Sequence, residues 1–145
     1  MAITTAMCSS FKQELLGGVH DLDTDTLKIA LIKQSPSGTY GTATTNYSDV
    51  TGNSDEASGT NYTAGGQALG NASITLTGTT AFVDFDDEVF SNLTISADGC
   101  IIYNSSQSNK AIAVFDFGST VSSTAGDFTV VFPTGDASNA VIRIA

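Results

Sequence analysis

Residues 99 to 118 read GCIIYNSSQSNKAIAVFDFG, two apolar runs joined by the polar stretch Ser105 to Asn109. Runs of strand length separated by a short turn-forming segment are the signature of an antiparallel hairpin. Working outward, the same pattern recurs on both sides. TLKIALIK (26–33) alternates Leu27, Ile29 and Leu31 against Lys28, Ala30 and Ile32, as a strand does when one face is more buried than the other. ASITLT, TAFVDF and NLTIS precede the hairpin, and DFTVVF and AVIRIA follow it, with PTGDASN between these last two. Pro133 in that connection bars continuation of a strand ladder. About eight strands with turn signals every eight to twelve residues predict an all-β fold, an antiparallel β-sandwich or a jelly-roll-like barrel. A parallel α/β sheet needs crossover helices, and the chain has no room for them.

Two segments depart from the strand pattern. Ile3, Met7, Phe11 and Leu15 recur every four positions, which stacks them on one side of a helix and predicts an N-terminal amphipathic helix within residues 1–18. Thr4 or Thr5 is its expected cap, and Gly17-Gly18 its stop. Residues 34–66 form a long run of small polar types, expected to be functional or mobile and to contain short edge strands. At 145 residues the whole chain, 1–145, reads as one domain, large enough to bury about 70% of its unfolded surface.

Composition narrows the function classes. The formal charge is −10, from 5 basic and 15 acidic side chains. Nucleic-acid binding depends on counterion release by Lys and Arg, and anionic membranes attract the same residues, so neither is an expected partner. No apolar run approaches a membrane span, and the opening residues lack the basic and apolar regions of a signal peptide; the chain is expected to be made without a classical export signal. Charged residues total only 14%, against about 25% in ordinary globular proteins, with Ser, Thr, Asn and Gly in their place. That profile resembles β-rich extracellular surface proteins. A virion component, folded in the host cytoplasm and exposed when the cell lyses, reconciles the profile with the missing export signal.

No constellation for catalysis stands out, and no cofactor or small-molecule substrate is expected. Gly65 to Gly70 has the interval of a P-loop, but Asn71 stands where Lys is required and a strand follows in place of a helix. Gly65-Gly66 therefore reads as a turn or bulge. His20, the only histidine, reads as a solvated loop residue with no nucleophile paired to it. Asp21, Asp23 and Asp25 alternate like a calcium loop, yet Thr26 and Ile32 fall where Gly and Glu belong; Asp84, Asp86, Asp87 and Glu88 read as a solvated acidic turn. Cys8 and Cys100 are expected to be reduced thiols.

The opening MAITTAMCSSFKQELLGGVHDL, together with SGTNYTAGGQAL, IIYNSSQSNKAIAVFDFGS and DFTVVFPTGDASNAVIRIA, resembles a family of small virion proteins of tailed bacteriophages, notably phages of marine bacteria. The resemblance covers most of the chain, least clearly its middle loop. It implies a capsid decoration, or cement, protein: a non-enzymatic β-rich module on the outer capsid surface, bridging subunits of the major capsid protein. Trimers suit the local threefold positions of an icosahedral lattice, so a homotrimer is expected. Two sets of residues are candidates for capsid or subunit contact, the stripe Ile3, Met7, Phe11 and Leu15 and the loop tyrosines Tyr40, Tyr47 and Tyr62. For the stripe, capping the open end of the chain's own sandwich is the competing role. The alternative function is a tail, fibre or head-appendage module that binds a host surface glycan, with the tyrosines as its stacking platform.

Overall fold

The quoted hairpin is the spine of the molecule. In the computed structural model, which describes residues 2–145, strands Glu88–Asn104 and Lys110–Val130 pair antiparallel around a single 3-10 turn at Ser105–Gln107. The turn closes because Asn104 accepts from Ser106 N–H through its side chain, and because Ser108 and Asn109 adopt left-handed conformations that short polar residues tolerate. In chain order the elements are β1 (Ala6–Met7), α1 (Ser9–Leu16), β2 (Leu27–Lys33), α2 (Ser48–Gly52), β3 (Gln67–Ala68), β4 (Ser73–Thr77), β5 (Thr80–Asp84), β6 (Glu88–Asn104), β7 (Lys110–Val130) and β8 (Ile142–Ile144). They form two antiparallel sheets, β1-β7-β6-β2-β3 and β4-β5-β8. The architecture is an all-β sandwich with one N-terminal helix.

The expected strands are present, with two pairs fused. NLTIS and GCIIYN are both parts of β6, and KAIAVFDFG and DFTVVF both parts of β7. What looks like a break in sequence is a bulge: Ala97 pairs with Val121 and Gly99 with Asp116, so residues 117–120 loop out opposite Asp98. Gly118, at φ 80°, takes the backbone through it, and Asp98 accepts from Thr120 Oγ1 across it.

Both faces of β2 are covered, and Leu27, Ile29, Ala30, Leu31 and Ile32 are all buried. Its burial therefore follows a continuous apolar run, more than the one-sided alternation expected. Flanking β2, Ile101, Ile102, Ile112 and Val114 of the hairpin complete the centre of the core.

The N-terminal segment differs from the expectation. Helix α1 begins only at Ser9, because the chain before it is extended: Ala6 and Met7 pair with Val114 and Ala113, and Cys8 N–H donates to Ile112 O at 2.9 Å. Ile3 bridges to Tyr40, with Thr4 N–H donating to Tyr40 O and Tyr40 N–H to Ala2 O. Pairing there shields the edge of β7, which a helix would leave open. The N-cap is accordingly Cys8, without a side-chain cap bond, in place of Thr4 or Thr5. The expected stop holds: Gly17 is the C-cap, Gly18 has φ 74°, and Val19 N–H returns to Glu14 O.

Candidate functional site

The long polar segment is held by two adjacent carboxylates. Asp55 is fully buried and collects Gly38 N–H at 2.7 Å, Ser37 N–H at 3.0 Å, the Ser37 hydroxyl at 3.1 Å, Tyr40 Oη at 2.6 Å and Lys33 Nζ at 3.0 Å. Burial alone would raise its pKa; the hydrogen bonds from Tyr40, Ser37 and Gly38 and the Lys33 ammonium outweigh burial and hold the carboxyl well below the usual carboxylate range. Glu56, next in sequence, accepts from the hydroxyls of Tyr47 and Tyr62 and from Gly65 N–H.

These anchors stitch the segment onto the edge of β2 beyond β3. Ala57 N–H donates to Leu31 O and Lys33 N–H to Asp55 O, while Leu31 N–H is taken up by the Tyr62 hydroxyl at 2.9 Å. Gly65 and Gly66 turn the chain with φ of 94° and 74°, and a Cβ on Gly66 would lie 1.7 Å from Ile29 O. The glycine pair is thus a turn pressed against β2, as its sequence context implies. Residues 34–66 contain one short helical turn, α2, and bridges at Tyr40, Asn46, Glu56 and Thr60.

All seven candidate contact residues are engaged inside the fold. Ile3, Phe11 and Tyr40 are buried, and Met7, Leu15, Tyr47 and Tyr62 are partly buried against the same core. The stripe serves the chain's own sandwich, although only Phe11 and Leu15 reach it from a helix. Tyr47 stacks on Tyr103, with ring centroids 4.5 Å apart and planes at 11°, and Tyr62 tilts against Phe90. Burial first, and their carboxylate partners second, push the Tyr40 hydroxyl up to about 12 and those of Tyr47 and Tyr62 up as well. The tyrosines therefore tie the segment down. The sequence signal that would have found this role is that Asp49, Asp55 and Glu56 are the only charged side chains in residues 34–66.

His20 is buried, in contrast to the solvated loop residue expected. Nε2 lies 3.2 Å from Glu14 Oε1, and Nδ1 lies 3.0 Å from Asn104 Nδ2, whose amide also donates to Asp25 Oδ2 at 2.7 Å. Since the Asn104 amide can only donate, Nδ1 accepts and Nε2 carries the proton toward Glu14. Glu14 also pairs with Lys110 at 3.1 Å, so the histidine joins α1 to both ends of the hairpin turn. Asp21 Oδ1 accepts from the N–H groups of Asp23 and Thr24, an Asx turn. Among the described residues no three His, Cys, Asp or Glu side chains converge as a metal site would require. Cys8 and Cys100 are buried free thiols, each raised to about 12 by desolvation.

Exposed large apolar side chains collect in two places. Val121 and Val131 lie beside the Phe117 and Phe128 rings on and just after β7. The second group surrounds a cleft of about 420 Å³ between the end of α1 and the β4-β5-β8 sheet, where Leu15, His20 and Leu22 face Ile74, Val83 and Ile142. Ile74 and Ile144, which line it, are 55% and 54% exposed; Leu76, opposite Ala81 on the same sheet face, is 71% exposed, and Leu16 at the end of α1 is 92% exposed. No protein-family model, curated protein or solved structure matches this chain.

Proposed function

We propose that the protein is a non-enzymatic capsid decoration, or cement, protein that binds the outer surface of an assembled phage head and bridges major capsid protein subunits. The resemblance of whole sequence phrases over most of the chain, least clear in the middle loop, carries the reading. Support comes from where those phrases lie: the opening builds β1 and α1, SGTNYTAGGQAL places Tyr62 and Gly65 on Glu56, and IIYNSSQSNKAIAVFDFGS is the centre of the hairpin.

The physical task is mechanical. Packaged DNA pushes outward on a shell of repeated contacts, and a protein that binds only the assembled shell stabilises it by mass action. Several weak contacts suffice when they are linked, since effective concentration adds about 10²- to 10⁴-fold to a single contact. Because the stripe and the tyrosines are occupied within the fold, contact with the capsid falls to exposed apolar side chains such as Val121 and Val131. The glycan-binding alternative loses its platform for the same reason.

Cryo-electron microscopy of purified particles carrying this protein, with antibody labelling, tests the reading. Density or label spread over the head lattice is the expected result. Label confined to the tail or to one vertex overturns it.

A further inference from the structure

The edge of β4 lacks every device by which sheets avoid pairing with other chains. Ser73–Thr77 reads SITLT, all five residues are exposed, and among the described residues β4 pairs only with β5. Natural edges carry Lys, Pro, inward charges or bulges, and residues 72–80 contain no charge, no proline and no break in register. The face that β4 presents is equally bare. Ile74 stands opposite Val83, which stands opposite Ile142; Leu76 stands opposite Ala81, which stands opposite Ile144. These six apolar side chains share one face, and only its inner part is covered by Leu15, Leu22 and His20.

The backbone fixes what the edge can accept. The two-residue turn Gly78-Thr79, with Gly78 at φ 60°, is closed by Thr77 and Thr80. Hydrogen-bonded and non-hydrogen-bonded positions alternate along an antiparallel ladder, so Thr77, Thr75 and Ser73 address β5 while the N–H and C=O of Ile74 and Leu76 point outward. A second SITLT strand running antiparallel meets these groups in one symmetric register. Ile74 exchanges both bonds with Leu76 of the other copy, Thr75 faces Thr75, and Ile74 and Leu76 of the two copies fall on the same face.

We infer that a second copy of this chain pairs along β4, joining two three-stranded sheets into one of six strands about a twofold axis. Charge permits self-association here, because a chain of net charge −10 repels its own copies but residues 72–80 carry no ionisable group. Ile74, Leu76 and Ile144, each more than half exposed, lie together on this face, and a contiguous exposed apolar patch marks an interaction site. The symmetry is twofold, where lattice considerations alone suggested three. The pairing stands apart from the capsid reading; where both hold, each particle-bound unit is bivalent.

Two measurements on the isolated full-length protein test it. Sedimentation equilibrium should give a dimer for the native chain, and Leu76→Lys, at a position already 71% exposed, should weaken it by about tenfold or more with the circular dichroism spectrum unchanged. Thr75→Cys should form a reducible covalent dimer under mild oxidation, since facing residues in a non-hydrogen-bonded pair lie within disulfide reach and the native thiols are buried. Thr77→Cys should not, because the two copies of residue 77 stand about 14 Å apart in this register. A native monomer throughout the concentration series, an oligomer indifferent to Leu76→Lys, or equal cross-linking by both cysteines would overturn the pairing. A monomer that nevertheless decorates heads overturns the pairing while leaving the capsid reading in place.

Discussion

Asp55→Ala is the substitution for which the structure gives the firmest magnitude. It removes a fully buried carboxylate and strands its donors unequally. Ser37 is exposed and Lys33 partly so, and both rehydrate; Gly38 N–H and the buried Tyr40 hydroxyl do not find water as readily. At about 1–3 kcal/mol for each unsatisfied buried group, the loss is about 3 kcal/mol. For a chain of this length that corresponds to a fall in Tm of roughly 12 °C. Tyr40→Phe, which leaves the other four donors on Asp55, should cost about 1 kcal/mol. Thermal and urea denaturation of both single variants and the double variant form the assay, with the cycle reporting the Tyr40–Asp55 coupling. The pH dependence follows from the same group. Its folded pKa is depressed, so its stabilisation is present above the unfolded value of about 3.9 and is lost as pH falls toward the folded one. Asp55→Asn should flatten that acid limb. A loss below about 1 kcal/mol for Asp55→Ala, or an acid limb unchanged in Asp55→Asn, would refute the anchoring role.

Three further outcomes are expected. Tyrosinate absorbance should rise late and cooperatively: the raised pKa values of Tyr40, Tyr47, Tyr62 and Tyr103 make stability complete below about pH 10 and lost above it, and early independent titration at pH 10 would contradict the buried hydroxyls. Neither Cys8 nor Cys100 should react with a thiol reagent in native protein, and both should react in denaturant; fast native labelling would place one of them at the surface. Gly66→Ala should destabilise severely or abolish soluble expression, whereas Gly52→Ala, with open space around the added methyl and an ordinary φ, should be neutral or gain about 0.4–1 kcal/mol by denaturation.

Local pattern made the strands legible, because TLKIALIK, TAFVDF and the hairpin runs each carry enough apolar and β-branched residues to specify their own state. The same local reading misassigned Ile3 and Met7. Their spacing from Phe11 and Leu15 fits a helix, but the edge of β7 competes for Ala6 and Met7 and supplies backbone partners that no sequence window reveals. The sequence suggests separate strands on either side of Asp98 because the bulge opposite it breaks the pattern, while pairing resumes on both sides of it. His20 looked solvated since its partners, Glu14 and Asn104, lie 6 and 84 residues away, the second reachable only once the hairpin has formed. Apolar and aromatic character marks the seven contact candidates in the sequence, but long-range burial turns those residues inward and leaves Leu76, Leu16 and Val131 outside.

Stoichiometry in the particle tests the decoration role. Quantitative mass spectrometry of purified particles, comparing this protein with the major capsid protein, should return a ratio near one to one or a simple fraction set by the lattice sites it occupies. A ratio far below any such fraction, as for a component confined to a tail or a single vertex, would contradict the decoration role.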